Sequence, residues 1–239
     1  ILKEVLEEPK VYWSLKNVVI KAQKNIYTGN SLEAIDDLND LLGKSVRNQM
    51  VADVPLGAFL SGGVDSSLIV SLMQSQSNIP IDTFTIGFSE DDYNEAIFAK
   101  KIAKHLGTNH TELYIASKDA LSVVDKLPQI YDEPFSDSSQ IPTYLISEMT
   151  KKNVTVSLSG DAGDELFGGY NRYLWTRKIW SRIKFLPISL RKIISYSMTS
   201  VSPSSWDKIL KQILDTPQPG DKVHKLSSIL TSSSATDCY

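Results

Sequence analysis

Between Leu56 and Leu158, short apolar runs alternate with longer segments whose apolar residues recur at helical spacing. Leu56 to Leu60, Asp82 to Phe88, His110 to Ile115 and Val154 to Leu158 read as strands. Ser31 to about Val51 reads as an amphipathic helix on Leu32, Ile35, Leu38, Leu41, Leu42 and Val46, with Ser31 as N-cap and Pro55 as its stop. Further helices are expected around Leu68, Ile69, Leu72 and Met73, and over Asn94 to Leu106, Lys118 to Ile130 and Ile141 to Lys151. Such alternation predicts an α/β fold: a mostly parallel sheet with helices on both faces, and ligands at the carboxyl ends of its strands. Nine of the 12 glycines fall between Gly57 and Gly169, so turns that need positive φ or a close backbone approach are concentrated there. After Tyr170 the strand signal is lost. Trp175, Trp180, Trp206, Pro187, Pro203, Pro217 and Pro219 mark short helices, read as a helical cap on the sheet, and Ser227–Thr236 is expected to be loosely ordered. The expected organisation is a linker over 1–30, an α/β core over 31–169 and a helical part over 170–239.

Composition narrows the partners. The chain has 239 residues, 41% of them hydrophobic, which is enough for a real core. A net charge of −3 disfavours a surface that neutralises many phosphates, so neither a nucleic acid nor an anionic membrane is expected as a partner. One cysteine, Cys238, closes no intrachain disulfide and makes no metal knuckle, so a cytoplasmic setting is expected. No uncharged run approaches the roughly 20 residues that span a bilayer. A start on Ile1 predicts a piece of something longer.

The octapeptide Leu60-Ser61-Gly62-Gly63-Val64-Asp65-Ser66-Ser67 follows the first strand and opens a helix. Two glycines let the backbone approach an anion, the helix N-terminus attracts one, and the Ser61, Ser66 and Ser67 hydroxyls add neutral donors. Together they make a phosphate cradle without a lysine. Asp65 would repel that phosphate unless a cation lay between them, and carboxylate plus phosphate oxygens is the usual coordination of Mg²⁺. The alternative is a helix-start residue favoured by the dipole. Gly43-Lys44-Ser45 resembles the end of another phosphate loop, but Leu38 stands where its first glycine is required, and the tripeptide lies within a helix.

A second turn, Ser159-Gly160-Asp161-Ala162-Gly163-Asp164-Glu165-Leu166-Phe167-Gly168-Gly169-Tyr170, follows the last strand. Its three carboxylates within five residues repel one another, which points to a second metal-facing acid; a solvated acidic turn is the alternative. A nucleophile elbow around Ser159 fails, because Ser157 and Asp161 occupy its glycine positions. His105, His110 and His224 are read as structural or solvated, and the tryptophans as packing.

Ser-Gly-Gly-Val-Asp-Ser-Ser after a strand resembles the pyrophosphate loop of the ATP pyrophosphatases, whose fold is adenine nucleotide α-hydrolase-like. The second turn resembles the Ser-Gly-(Glu/Asp)-x-x-Asp-Glu-(Leu/Val)-Phe-Gly-Gly-Tyr motif of the asparagine synthetase branch, with Ala162 where many members have glycine. Thr83 to Phe88, Tyr131 to Ser139 and Val11 to Leu15 are similar to further stretches of that family.

The resemblance implies cleavage of ATP between its α- and β-phosphates. Phe59, Leu60, Ile86, Ser159 and Gly160 would hold adenosine. Ser61, Gly62, Gly63, Ser66 and Ser67 would hold pyrophosphate, and Asp65 and Asp164 would bind Mg²⁺. Asp161 would serve substrate binding and acid–base catalysis, and Tyr170 would line the substrate pocket. The implied reaction activates a carboxylate, aspartate foremost, as an acyl adenylate that ammonia converts to an amide and AMP. The family's glutaminase half, expected in cis, uses an N-terminal cysteine that is not at residue 1, and a later familial lysine falls beyond Tyr239. A homodimer is expected as an option. The alternatives are amidation of a sugar carboxylate or closure of a β-lactam, a nucleotide-binding module inactive alone, and an RNA-modifying pyrophosphatase, which the net charge disfavours.

Overall fold

The computed structural model describes residues 9–88, 95–134, 136–210, 218–234 and 237; Cys238, the Asn94 helix start and the first eight residues lie outside them. The chain divides into two compact units, Ile1–Ser159 and Gly160–Tyr239.

The first unit opens with α1 (Leu15–Lys24), inside the stretch read as a linker. The Ser14 side chain caps it, and none of its residues is buried. Helix α2 (Ser31–Gln49) starts one residue earlier than expected in capping terms. Asn30 is the N-cap: its side chain accepts from the Leu32 and Glu33 N–H groups while Glu33 reaches back to the Asn30 N–H. Then follow β1 (Leu56–Phe59), α3 (Val64–Ser75), β2 (Asp82–Phe88), α4 (Ala96–Leu106) and β3 (Asn109–Ile115). The expected single helix after β3 is two, α5 (Ser117–Val124) and α6 (Leu127–Ile130), because Pro128 fits only a first turn. Helix α7 (Gln140–Thr150) and β4 (Val156–Leu158) complete the unit.

The sheet is parallel throughout, in the order β3-β2-β1-β4. Alternation along β1 sends Ala58 and Leu60 to one face, where Val46 of α2, Val70 and Met73 of α3, and Ala99 and Ala103 of α4 close a core. Phe59 and Phe84 turn to the other face against Ile146 and Met149 of α7. The α/β class with helices on both faces is therefore as expected. From β1 the chain moves outward to β2 and β3, then returns to add β4 on the opposite side of β1. That reversal makes a topological switch point between β1 and β4, where the loops leaving the two strand ends diverge and open sheets bind ligands.

Gly57 is a close-approach position in β1: a Cβ there would lie 2.7 Å from the Asp82 carbonyl oxygen and 2.9 Å from the Phe84 ring. One of those neighbours is backbone and cannot swing aside. Gly57→Ala is expected to cost about 1–3 kcal/mol of stability by overpacking, read from urea unfolding midpoints.

The second unit contains α8 (Gly163–Phe167), α9 (Asn171–Ile183), α10 (Ile188–Thr199), α11 (Pro203–Leu210) and α12 (Pro219–Leu230). Three of the four prolines read as breaks sit at helix starts, Pro187 capping α10 and Pro203 and Pro219 opening α11 and α12, while Pro217 lies outside the described residues. Buried Arg191 ties α10 to the end of α12, donating to the Leu186, Leu230 and Ser232 carbonyls. His224 is half-buried rather than solvated, with Nε2 2.8 Å from the Val201 carbonyl, which can only accept and so fixes the proton on Nε2. The Ser/Thr-rich stretch expected to be loose is helical to Leu230, and Asp237 then accepts from the Ser233 and Ser234 N–H groups.

Candidate functional site

The loop after β1 sits at the switch point. Its first peptide still belongs to the sheet, with the Leu60 N–H donating to the Phe84 carbonyl at 2.9 Å. The chain then reverses through Gly62 at φ +85°, a conformation in which an L side chain is strained, and passes so close to α4 that a Cβ would lie 2.8 Å from the Ala99 nitrogen.

The loop holds its own shape. Ser61 Oγ and Ser66 Oγ are 2.9 Å apart, the Ser61 N–H donates to Ser66 Oγ at 3.2 Å, and the Gly63 N–H donates to Ser61 Oγ at 3.3 Å. The Ser66 and Ser67 hydroxyls donate to the Gly63 carbonyl at 3.3 and 2.6 Å. Hydroxyls expected to face an anion are thus spent on the loop. The donors left over are backbone: Gly63 is the N-cap of α3 with no side-chain acceptor, so the first-turn N–H groups await an outside partner. Asp65 stands in that turn, half-buried.

Beside the loop lies a cavity of about 220 Å³. Phe59, Leu60 and Ser61 form one wall, Thr85, Ile86 and Phe88 the second, and Pro142, Thr143 and Ile146 of α7 the third, with Glu95 at its margin. That volume is below the roughly 300–1,000 Å³ of drug-sized sites and suits one flat ring system rather than a whole nucleotide. Phe59, Leu60, Ser61 and Ile86 were singled out in the sequence. Thr85 and Phe88 lie in the Thr83 to Phe88 stretch noted there, whereas Glu95, Pro142, Thr143 and Ile146 were not noted, the α7 wall being supplied from some 80 residues downstream.

Ser159 leaves β4 half-buried at the other side of the switch point, after register pairs that set Ala58 beside Leu158. Gly160 and the acidic turn belong to the second unit. Ala162 takes φ +70°, the region that glycine occupies at no steric cost, and Gly168 follows at φ +67°. Between them α8 carries Asp164 and Glu165 on one short turn. Asp161 is exposed, Asp164 is half-buried, and a Cβ on Gly169 would overlap Asp164 Oδ1, so that carboxylate lies directly over glycine backbone.

The Tyr170 hydroxyl donates to Glu165 Oε1 at 2.6 Å, and the Arg172 guanidinium lies 4.5 Å over the Tyr170 ring. The hydrogen bond favours the neutral phenol and the charged carboxylate. Tyr170 is accordingly pushed up to about 12, with burial and the Glu165 charge adding to the hydrogen bond, and Glu165 is held below its usual value. A raised phenol stabilises the fold below its unfolded value of 10.0 and loses that contribution as pH climbs toward 12. The lowered Glu165 contributes above its unfolded 4.5 and fails on acidification. In ¹³Cζ-tyrosine NMR, one resonance should titrate near 12 and move back toward 10 in Glu165→Gln.

Among the described residues no group of three or more His, Cys, Asp or Glu side chains could hold a metal. Single carboxylates such as Asp65 and Asp164 suit Mg²⁺, which takes one or two protein oxygens and fills its shell with phosphate and water. They do not suit a preformed structural metal. Burial holds the His110 imidazole below its ordinary value, and its Nδ1 lies 2.9 Å from Thr83 Oγ1 within the sheet. Among the described residues no helix is long and apolar enough to cross a membrane.

The family model for asparagine synthase matches residues 37–236. The chain is 44% identical over 164 residues to a putative asparagine synthetase (glutamine-hydrolyzing) 2 of Methanocaldococcus jannaschii, covering 68% of this chain and 30% of that protein. It is 39% identical over 139 residues to asparagine synthetase (glutamine-hydrolyzing) 1 of Bacillus subtilis, covering 58% and 22%. With the human asparagine synthetase (glutamine-hydrolyzing) it shares 31% over 158 residues, covering 62% and 28%. The chain therefore spans about a third or less of the length of these relatives. A match across both loops and all four strands settles its kinship: this chain belongs to the asparagine synthase family.

Proposed function

We propose that this chain is the adenylating part of an ATP-dependent amide ligase, with aspartate as the carboxylate it activates and asparagine as the amide. The supporting observation is the course of the Ser61–Ser67 loop, which leaves the switch point past a base-sized cavity and ends in the uncapped N-terminus of α3. In this reading adenine lies between Phe59, Leu60 and Ile86, with Ser159 and Gly160 on the ribose side. The Gly62 and Gly63 backbone and the first turn of α3 take the β- and γ-phosphates. The Ser66 and Ser67 hydroxyls can rotate from the Gly63 carbonyl, and the Ser61 hydroxyl from Ser66 Oγ, to a phosphate oxygen without moving the backbone.

A substrate carboxylate oxygen attacks the α-phosphorus, the bond to the β-phosphate oxygen breaks, and pyrophosphate leaves. Ammonia then attacks the acyl carbon, AMP leaves with the former carboxylate oxygen, and the nitrogen loses a proton. Asp161 orients the substrate and takes that proton, and Tyr170 lines the substrate side. Mg²⁺ held by Asp65 and Asp164 would neutralise charge on the departing pyrophosphate. Since the relatives are named as glutamine-hydrolyzing, the ammonia is assigned to a glutaminase domain in cis in a longer protein.

The test supplies ATP, Mg²⁺, aspartate and ammonium and identifies the products. AMP, pyrophosphate and asparagine are expected. ADP with phosphate would sink adenylation, and pyrophosphate formed only with a sugar carboxylate or a β-amino acid would replace aspartate as substrate.

A further inference from the structure

The net charge of −3 averages two unlike parts. Residues 1–159 carry 14 lysines and arginines against 21 acids, whereas residues 160–239 carry 11 against seven. The imbalance is steepest between Glu165 and Asp207, where seven cations stand with no acidic residue among them. Five of those cations, from Arg172 to Lys184, lie on α9 or at its C-cap.

Helix α9 is two-sided. Tyr173, Thr176, Ile179, Trp180 and Ile183 form its covered side, with Ile183 buried and the Arg191 guanidinium of α10 at 5.6 Å from the Trp180 ring. On the opposite side Leu174, Trp175, Lys178 and Arg182 share an arc of about 100° and are all exposed, Leu174 at 70% and Trp175 at 57%. Phe185, 78% exposed, adds an apolar ring just past the C-cap Lys184. None of Arg177, Lys178, Arg182 and Lys184 is ion-paired among the described residues. Like charges gathered in this way call for an anion from outside.

We infer that α9 lies flat on an anionic phospholipid surface. Cations interleaved with Trp, Phe and Leu on a solvent-facing helix are the composition of an interfacial helix. The Lys178, Arg182 and Arg177 heads meet lipid phosphates, Trp175 settles at headgroup level, and Leu174 and Phe185 reach the acyl boundary. With 13 residues α9 is too short to span the bilayer, and its covered side is already packed, so binding pays no cost of folding the helix. A single-stranded nucleic acid offers phosphate charge but a poorer fit, because its bases stack on open aromatic faces. Here Lys178 lies 5.3 Å over the Trp175 ring and Lys184 lies 4.9 Å over Phe185, while aliphatic Leu174 gains nothing from a phosphodiester chain.

The 239-residue chain is mixed with vesicles of equimolar phosphatidylglycerol and phosphatidylcholine and sedimented. It is expected to pellet with them, to stay in solution with phosphatidylcholine alone, and to be released as salt rises from about 0.1 to about 1 M. Removing three cations together, Arg177→Gln, Lys178→Gln and Arg182→Gln, should weaken binding about a hundredfold. Leu174→Ser with Phe185→Ser leaves the charge unchanged and should still cost about tenfold, a loss that a purely ionic contact would not show. Tryptophan emission should shift to the blue on binding, and Trp175→Phe should remove most of that shift. No pelleting with anionic vesicles, equal pelleting with neutral ones, full binding by the variant lacking three cations, or tighter binding of a labelled oligothymidylate than of vesicles would overturn the inference. Far-UV circular dichroism of each variant matching the wild-type chain rules out unfolding as the cause of release.

Discussion

Gly62→Ala is expected to lose both stability and turnover. Two costs add at this position because they have different sources. The backbone at φ +85° penalises any side chain by about 1–2 kcal/mol. The new methyl would also meet Ala99 nitrogen at 2.8 Å and Phe98 Cβ at 2.9 Å, so either the loop or the start of α4 must give way. A total of about 2–4 kcal/mol is expected in urea unfolding, since overpacking contributes a comparable amount to strain. The loop is the softer partner, and its displacement moves the first-turn N–H groups of α3 away from any phosphate. A shift on the order of 1 Å in positioning groups costs about a hundredfold in rate, so pyrophosphate formation should fall by that factor under conditions where the variant remains folded. Gly63→Ala is the control. It has ordinary φ, and the nearest atom to its Cβ, Ser61 Oγ at 3.3 Å, is a movable side chain. That substitution should cost under about 1 kcal/mol. Equal effects at Gly62 and Gly63 would show that loop geometry is not what matters.

The four strands were legible within two residues at either end, the central β1 and β2 from their largely apolar, buried runs and the edge strands β3 and β4 from shorter apolar stretches set between helical patterns. The strand order was not legible. Nothing in the run Val154–Leu158 says that it adds beside β1 rather than β3, and that choice is what makes the switch point. Local chemistry misled in three places. Pro128 lies in an apolar pattern that looks continuous and yet ends one helix and begins another. Asn30 outcompetes Ser31 as N-cap because Glu33 is three residues on and completes the box. α1 forms without burying anything, since its Ser14 cap and alternating lysines satisfy it locally.

The loops were legible as loops, and what the sequence could not supply was the partner of each hydroxyl. Ser61, Ser66 and Ser67 read as donors to a ligand, but in a turn this tight the Ser61 and Ser66 hydroxyls pair with each other and the Gly63 carbonyl accepts from Ser66 and Ser67. Likewise Tyr170 closes the second motif, and its bond to Glu165 depends on a helical turn of five residues that composition does not announce.

Asp65→Asn separates the two readings of that carboxylate. If Asp65 only starts a helix, the amide keeps the shape and gives up about 0.3–1 kcal/mol of dipole interaction, with activity within about twofold of the wild-type chain. If it faces ATP through Mg²⁺, stability changes by that same small amount, but pyrophosphate formation falls about 10²–10³-fold, as when one preorganised charge-stabilising group is removed. Binding measured apart from turnover gives a sharper signature, because the sign reverses with the metal. Without Mg²⁺ the carboxylate sits beside the same first-turn N–H groups that attract phosphate, and two like charges about 5 Å apart at a partly exposed site repel by about 1–3 kcal/mol. Removing that charge should therefore tighten binding of a fluorescent ATP analogue in EDTA by roughly fivefold to a hundredfold. With Mg²⁺ the order inverts, since Asn offers a poorer oxygen to the cation and the wild-type chain binds more tightly. Titration of both proteins with and without the metal reads the crossing directly, and parallel curves that never cross would assign Asp65 to the helix start alone.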